Sequence, residues 1–306
     1  MLSSTCSKNN LKELIRFWLI DHPELNPYKF SVKKFYQKLT SPLRSFPHFI
    51  IIGVGRAGTT ALYSYLIQHP SIQGTISSNH KNAYDLHFFD FMISQSTVWY
   101  KSHFPIILPR FLHKKNLHLT GEYTSTYFYH PEVPKRIHKL LPGIKLIVIL
   151  RNPIDKIYST YYQQFRYGEI STSFEDTIDA EFKRMKILNN NSNFSSENPN
   201  IENFIPGNII KHGIYADYFE NWLNFFNQSQ LLILDSYELK NNTNSALETV
   251  FGFLGLQNSP IEDLSHVAER KYPKLKESTR QKLIEFYKPH NKRLNELLKT
   301  NFDWDK

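Results

Sequence analysis

The sequence predicts an α/β fold of three layers, a P-loop-like arrangement in which a central parallel sheet is flanked by helices. Short unbroken apolar runs, "HFIII" at 48–52, "KLIVIL" at 145–150 and "QLLILDS" at 230–236, each give way to a segment of helical periodicity. Such runs are buried on both faces, as parallel strands covered by helices are. The first run leads into the glycine-rich turn "GVGRAGTT" and then a helix-like stretch. With 306 residues, 41% of them apolar and including 23 Phe and 18 Tyr, the chain suffices for one such domain with a full core.

In chain order, residues 1–46 read as a helical or irregular N-terminal extension. Its "LKELIRFWLI" reads as an amphipathic helix, too short and too charged for the apolar region of a signal peptide. The extension closes at "TSPLRSFP", and the domain is expected over 47–306. Helices are expected over 60–69, 154–166 and 244–254, each behind one of the three strands. The polar, low-complexity stretch "NNNSNFSSENPNIEN" predicts a flexible loop or lid over about 188–204. Its sequons at Asn190 and Asn193 are ascribed to chance in an Asn-rich chain. "STRQKLIEFYKPHNKRLNELL" predicts terminal helices. Open parallel sheets bind ligands beyond the carboxyl ends of their strands, which directs attention to the loops at 53–59 and 151–153.

Lys and Arg total 37 against 28 Asp and Glu, a formal charge of +9. That balance suits an anionic partner, although the basic residues form no run of five or six. Cys6 is the one cysteine, so an intramolecular disulfide and a cysteine-based zinc site are both excluded. No stretch approaches the ~18–20 apolar residues of a membrane span. The expectation is a soluble, cytoplasmic protein.

Gly53, Gly55 and Gly58 let the backbone turn with its N–H groups pointing inward, and a helix beginning near Thr59 adds its positive dipole end. Thr59 and Thr60 offer hydroxyls, and Arg56 a fixed charge with a planar fork. A kinase or NTPase loop carries lysine at position 59 and pairs the next hydroxyl with magnesium. Here Thr59 stands in that place, and Asp235, ending "LLILD", is the one candidate for an acidic metal-holding strand end. A loop that uses Arg56 suits a nucleotide phosphate needing no metal. In "KLIVILRNPIDKIYSTYYQQF", Arg151 ends a strand and Ser159 lies on the second turn of the following helix. The two can converge on one anion.

Together these stretches resemble the sulfotransferase superfamily, which uses 3′-phosphoadenosine-5′-phosphosulfate (PAPS). The resemblance is to the heparan sulfate N- and 3-O-sulfotransferase branch and to related bacterial enzymes, and runs from about 47 to 304. "HFFD" (87–90), "VWYKSHFP" (98–105), "EVPKRI" (132–137), "KLIVILRNP" (145–153), "GIYADYFENWL" (213–223), "FLGL" (253–256) and "RKYP" (270–273) stand in the family's order. The resemblance implies that Arg56, Ala57, Gly58, Thr59, Thr60 and Ala61 hold the 5′-phosphosulfate, and that Arg151, Ser159, Arg270 and Lys271 hold the 3′-phosphate. PAPS would leave as adenosine 3′,5′-bisphosphate, without a metal. The implied acceptor is a small molecule or oligosaccharide, with no nucleic acid partner.

"DLHFFD" brings Asp85, His87 and Asp90 within six residues. In the branch resembled, the acidic residue two before the histidine is a glutamate acting as base, and Asp85 matches it. The implied catalytic set is Asp85, His87 and Arg56. His87 would orient the acceptor or share its proton, unless it is a packed histidine beside Phe88 and Phe89; Asp90 would cap the next segment. Glu122 is a second candidate base. Arg56 replaces the family's usual lysine, Tyr123 a second lysine, and Ala268 with Glu269 a Lys-Gly pair. Trp99, Tyr100 and Trp222 read as core or cleft-wall aromatics, and His212 as part of a loop entering a helix. Two other functions fit the same residues: an ATP-dependent small-molecule kinase, and a non-catalytic binder of anionic glycans with a decayed nucleotide site.

Overall fold

The computed structural model describes residues 32–76, 85–106, 119–190, 209–265 and 272–305. In chain order these form α1 (Val32–Leu39), β1 (Phe49–Gly53), α2 (Thr59–Leu66), β2 (Ile72–Gln73), α3 (Thr97–Lys101), β3 (Leu119–Tyr123), α4 (Val133–Leu140) and β4 (Lys145–Leu150). There follow α5 (Pro153–Tyr167), α6 (Phe174–Asn190), α7 (Tyr215–Leu223), β5 (Leu231–Asp235), α8 (Ser236–Asn241), α9 (Thr243–Leu254) and α10 (Glu277–Leu298). The sheet runs β2-β3-β1-β4-β5, parallel throughout. Every β1 residue is buried, and so is β4 apart from Lys145. This is why both read as unbroken apolar runs.

Two strands escaped the sequence reading. β2 has only two residues, and β3, "LTGEY", breaks its apolar pattern with Gly121 and Glu122. Gly121 faces Phe49 across the sheet, and a Cβ built on it would stand 2.4 Å from the Phe49 ring. Its place in the strand is therefore set by close approach. Gly121→Ala is expected to lower stability by about 1–3 kcal/mol through overpacking, read from urea unfolding.

Three elements differ from expectation, the first being α2, which ends at Leu66 and not at the expected 69. α6 continues to Asn190, into the segment expected as loop, and the rest of that segment, 191–204, lies outside the described residues. The expected terminal helices are one helix, α10, which runs through Pro289. Pro289 and Glu285, four residues earlier, both lie on the exposed face. Water can therefore satisfy the carbonyl that the proline leaves without a donor.

The segment before β1 is packed on the domain by Arg44, which is buried and donates from Nη1 to the Phe104 carbonyl at 2.7 Å. A second core joins α5, α6 and α10 through Ile157, Ile178, Leu283 and Tyr287. Among the described residues no helix is long and apolar enough to cross a membrane.

Candidate active site

The carboxyl ends of β1 and β4 lie side by side in the middle of the sheet, so the segments leaving them border the place where open parallel sheets form a ligand cleft. The β1 segment turns through Arg56, at φ 70°, and Gly58, at φ 106°, before α2 begins. Gly58 accepts this left-handed conformation without the cost a side chain would carry. The first N–H groups of α2, at Thr59, Thr60 and Ala61, have no carbonyl partner within their own helix. They are available to an anion seated in the turn. Ala57 and Thr59 are buried, whereas Thr60 is exposed.

The β4 segment reaches the same turn. Arg151 Nη1 donates to the Arg56 carbonyl at 3.0 Å, and the Arg151 carbonyl accepts from the Tyr215 hydroxyl at 2.9 Å. Asn152 caps α5 by accepting from the Ile154 N–H, with Pro153 as the first helical residue. That cap fixes the helix register and brings Ser159, on the second turn, back over the cleft. Ser159 Oγ accepts from Arg56 Nε at 3.0 Å. Arg56, expected at the phosphosulfate end alone, thus spans both ends of the predicted site.

Tyr272 completes this group and was not assigned from sequence. Its hydroxyl lies 3.1 Å from Ser159 Oγ and accepts from Arg56 Nη2 at 3.1 Å, while its ring stacks on Tyr162 at 4.8 Å. The available signal was the Tyr158/Tyr162 pair on α5, spaced four apart so that both face one side. Arg270, Lys271, Ala268 and Glu269 lie outside the described residues.

The residues expected on the acceptor side stand beyond β3. Asp85 Oδ2 accepts from Ser125 Oγ at 3.5 Å and is 3.8 Å from His87 Nε2. Ser125 Oγ also lies 3.7 Å from where a Cβ on Gly55 would be, so the glycine turn passes against the residue that meets Asp85. Asp85 Oδ1 is buried with no hydrogen-bond partner among the described residues. Burial pushes the Asp85 carboxyl up to about 6, only partly offset by His87. A carboxylate of that kind is a proton acceptor near neutral pH.

His87 Nδ1 donates to the Asp90 carboxylate at 3.1 Å. Burial disfavours the imidazolium, but the Asp90 hydrogen bond, with the charges of Asp90, Asp85 and Glu122, outweighs it and raises the His87 pKa. Asp90 also accepts from Thr126 Oγ1 and from the Phe91 N–H, both at 2.6 Å, as it grips His87, whereas the next helix, α3, is capped by Ser96. The His87 ring packs against Phe91 at 5.1 Å.

Several sequence candidates sit elsewhere. Glu122 is buried beneath this group with both oxygens engaged, accepting from Tyr100 at 2.5 Å and Thr124 at 3.1 Å. Tyr123, where the family's second lysine was expected, is buried with its ring 5.2 Å from Tyr63. Asp235 accepts from the Tyr237 N–H as the cap of α8. Tyr100 and Trp222 are core residues, Trp99 packs partly buried against the core, and His212 lies in the short helical turn before α7.

A family model described as "Sulfotransferase domain" matches residues 46–296. The human bifunctional heparan sulfate N-deacetylase/N-sulfotransferase 3 is 29% identical over 279 residues, covering 82% of this chain and 30% of that protein. The mouse heparan sulfate glucosamine 3-O-sulfotransferase 6 is 27% identical over 294 residues, covering 86% of this chain and 75% of that protein. The chain therefore spans about a third of the length of the bifunctional relatives it matches. The crystal structure of a sulfotransferase from Alicyclobacillus acidocaldarius shares the fold, with a TM-score of 0.65 at 20% identity, over 86% of this chain and 100% of that one.

Proposed function

The chain belongs to the sulfotransferase family, and we propose that it transfers a sulfuryl group from PAPS to a hydroxyl or amine of a carbohydrate acceptor. The observation that carries this reading is the junction of the two phosphate-binding stretches. Arg151 holds the Arg56 carbonyl, and Arg56 holds Ser159, so residues 95 and 103 positions apart in the chain form one cationic, hydroxyl-lined cleft. The cleft suits a nucleotide with an anion at each end. Beside it lies a buried carboxylate oxygen that has no hydrogen-bond partner among the described residues.

The turn residues Arg56, Ala57, Gly58, Thr59, Thr60 and Ala61 would hold the 5′-phosphosulfate. Arg151 and Ser159 would hold the 3′-phosphate, with Arg270 and Lys271 assigned by resemblance. Bound PAPS supplies the sulfuryl group, its S–O bond to the 5′-phosphate breaking as the acceptor's O–S or N–S bond forms. Asp85 takes the acceptor's proton. His87, held by Asp90, orients the acceptor beside it. Arg56 and the N–H groups of the turn neutralise charge on the departing phosphate, a stabilisation that is electrostatic because arginine does not give up its proton. The carbohydrate preference draws on the heparan sulfate relatives and the +9 charge. The single cysteine supports a reducing setting such as the cytoplasm.

A labelled-PAPS screen against oligosaccharides, small alcohols and phenols tests the reading. Transfer to an oligosaccharide, undiminished by EDTA, is the expected result. Turnover of ATP with magnesium, and no stabilisation by adenosine 3′,5′-bisphosphate, would instead make the protein a kinase. A thermal shift with the bisphosphate addresses the glycan-binder alternative. Ligand at 100 times its Kd adds about 2.7 kcal/mol of stability, and no shift would favour a binder without a nucleotide site.

A further inference from the structure

Building on the reading of Asp85 and His87 as the acceptor-side pair, we propose that Glu122 and Thr124 are positioning residues that set this pair through a directed chain of hydrogen bonds. Residues 85–87 belong to no helix or strand, and His87 adopts φ 55°. A segment of that kind holds side chains in register only if its backbone is tied down. Its carbonyl side is held by the Met92 N–H, which donates to the His87 carbonyl at 2.8 Å, and its amide side by Thr124 Oγ1, which accepts the N–H of Leu86 and the N–H of His87, each at 3.2 Å.

A hydroxyl has one proton and two lone pairs, so it accepts two N–H bonds cleanly only when its proton is given elsewhere. Thr124 gives it to Glu122 Oε2 at 3.1 Å. The other oxygen, Oε1, accepts from the Tyr100 hydroxyl at 2.5 Å, and the Tyr100 ring stacks on Phe88 at 4.2 Å. An ionised carboxylate only accepts, and both its partners here are hydroxyl donors. Burial pushes the Glu122 carboxyl up to about 7, so above that pH, where it is ionised, the direction of the chain is fixed: backbone amides to Thr124, Thr124 to Glu122, and Tyr100 to Glu122 from the far side. Thr124 is in turn anchored to β1, its N–H donating to the Ile51 carbonyl at 3.0 Å. The 85–87 segment is thus pinned to the same sheet end from which the glycine turn springs. Thr124 and Glu122 are 0% and 1% exposed. They act through Asp85 and His87, out of reach of the acceptor.

The test uses the full chain with three variants: Thr124→Val, which keeps shape without the hydroxyl; Thr124→Ser, which keeps the hydroxyl; and Glu122→Gln, which replaces one acceptor by a donor. Three quantities are read: kcat with the acceptor found by screening, Kd for adenosine 3′,5′-bisphosphate, and the NMR titration of the His87 imidazole. Thr124→Val is expected to lower kcat by about 10²-fold, the scale of a ~1 Å misplacement, with nucleotide Kd unchanged. The His87 titration should fall toward the ordinary histidine value of ~6.5. Thr124→Ser should restore both, and Glu122→Gln, which keeps one acceptor oxygen for Thr124 but removes a negative charge near His87, should lower the His87 titration while reducing kcat less than Thr124→Val does.

A Thr124→Val protein with wild-type kcat and titration overturns the proposal. So does loss of nucleotide affinity in step with kcat, or a Thr124→Ser protein no better than Thr124→Val. A wild-type Glu122→Gln removes Glu122 from the chain. Full turnover by Asp85→Asn would cancel the base assignment alone, since the His87 titration still reads the effect of Thr124 independently.

Discussion

Asp85→Asn is expected to lower kcat by about 10²–10⁴-fold, the usual worth of a positioned general base. Its Kd for adenosine 3′,5′-bisphosphate should stay within about twofold, because an interaction made only with the reacting acceptor contributes nothing to nucleotide binding. In the wild type, kcat/KM should rise with pH through about 6 and then level, as the buried carboxyl gives up its proton there. The same group affects stability with a definite sign. The folded protein keeps the Asp85 proton up to about pH 6, whereas the unfolded chain loses it near ~4. Its contribution favours the fold below ~pH 4 and is lost as pH rises through about 6, leaving a cost of about 3 kcal/mol above that. Asn does not titrate. The stability gained by Asp85→Asn should therefore widen between pH 4 and 6 and stay constant at higher pH. Urea unfolding at several pH values measures this directly, and a gain independent of pH would mean that Asp85 is not held protonated by burial.

Arg151→Ala should weaken binding of adenosine 3′,5′-bisphosphate by about 10²-fold. A hydrogen bond between charged groups is worth roughly 1.5–3 kcal/mol, and the arginine fork makes such bonds in pairs. The contact from Arg151 to the Arg56 carbonyl is lost as well, so the turn loosens. Comparison with adenosine 5′-monophosphate separates the two effects. A nucleotide without the 3′-phosphate reports only the loosened turn, and its affinity should change by less than about tenfold. Arg151→Lys keeps the charge without the fork and should fall between. Equal losses for both nucleotides would assign Arg151 to the turn and not to the 3′-phosphate. Calorimetric titration of each nucleotide gives the required values.

The parts of this site that the sequence disclosed are those written in contiguous residues. The glycine turn follows an apolar run, and Arg151 ends another with Ser159 at a fixed helical offset; each pattern is local, and strand burial makes it visible. "DLHFFD" was likewise legible as a cluster of titratable groups. What stayed hidden depends on contacts between distant segments. Tyr272 meets Arg56 across 216 positions of chain, and the Tyr158/Tyr162 spacing on α5 signals an aromatic face there but not this contact. Thr124 and Glu122 lie on a strand end that Gly121 and Glu122 themselves disguised, because a buried carboxylate and a glycine interrupt the apolar run by which strands are recognised. Glu122 read as a candidate base because a carboxylate near a cleft looks alike whether it is reachable or enclosed. Asp235 looked like a metal-holding strand end for the same reason, and its engagement with the Tyr237 N–H emerges only from the fold.

A crystal structure with adenosine 3′,5′-bisphosphate bound is the most direct test of the two-ended cleft. The 5′-phosphate should rest on the backbone of 54–60, and the 3′-phosphate should meet the Arg151 guanidinium and the Ser159 hydroxyl of the same molecule. A nucleotide held at the glycine turn with its 3′-phosphate directed away from Arg151, or bound in a different cleft, would contradict it.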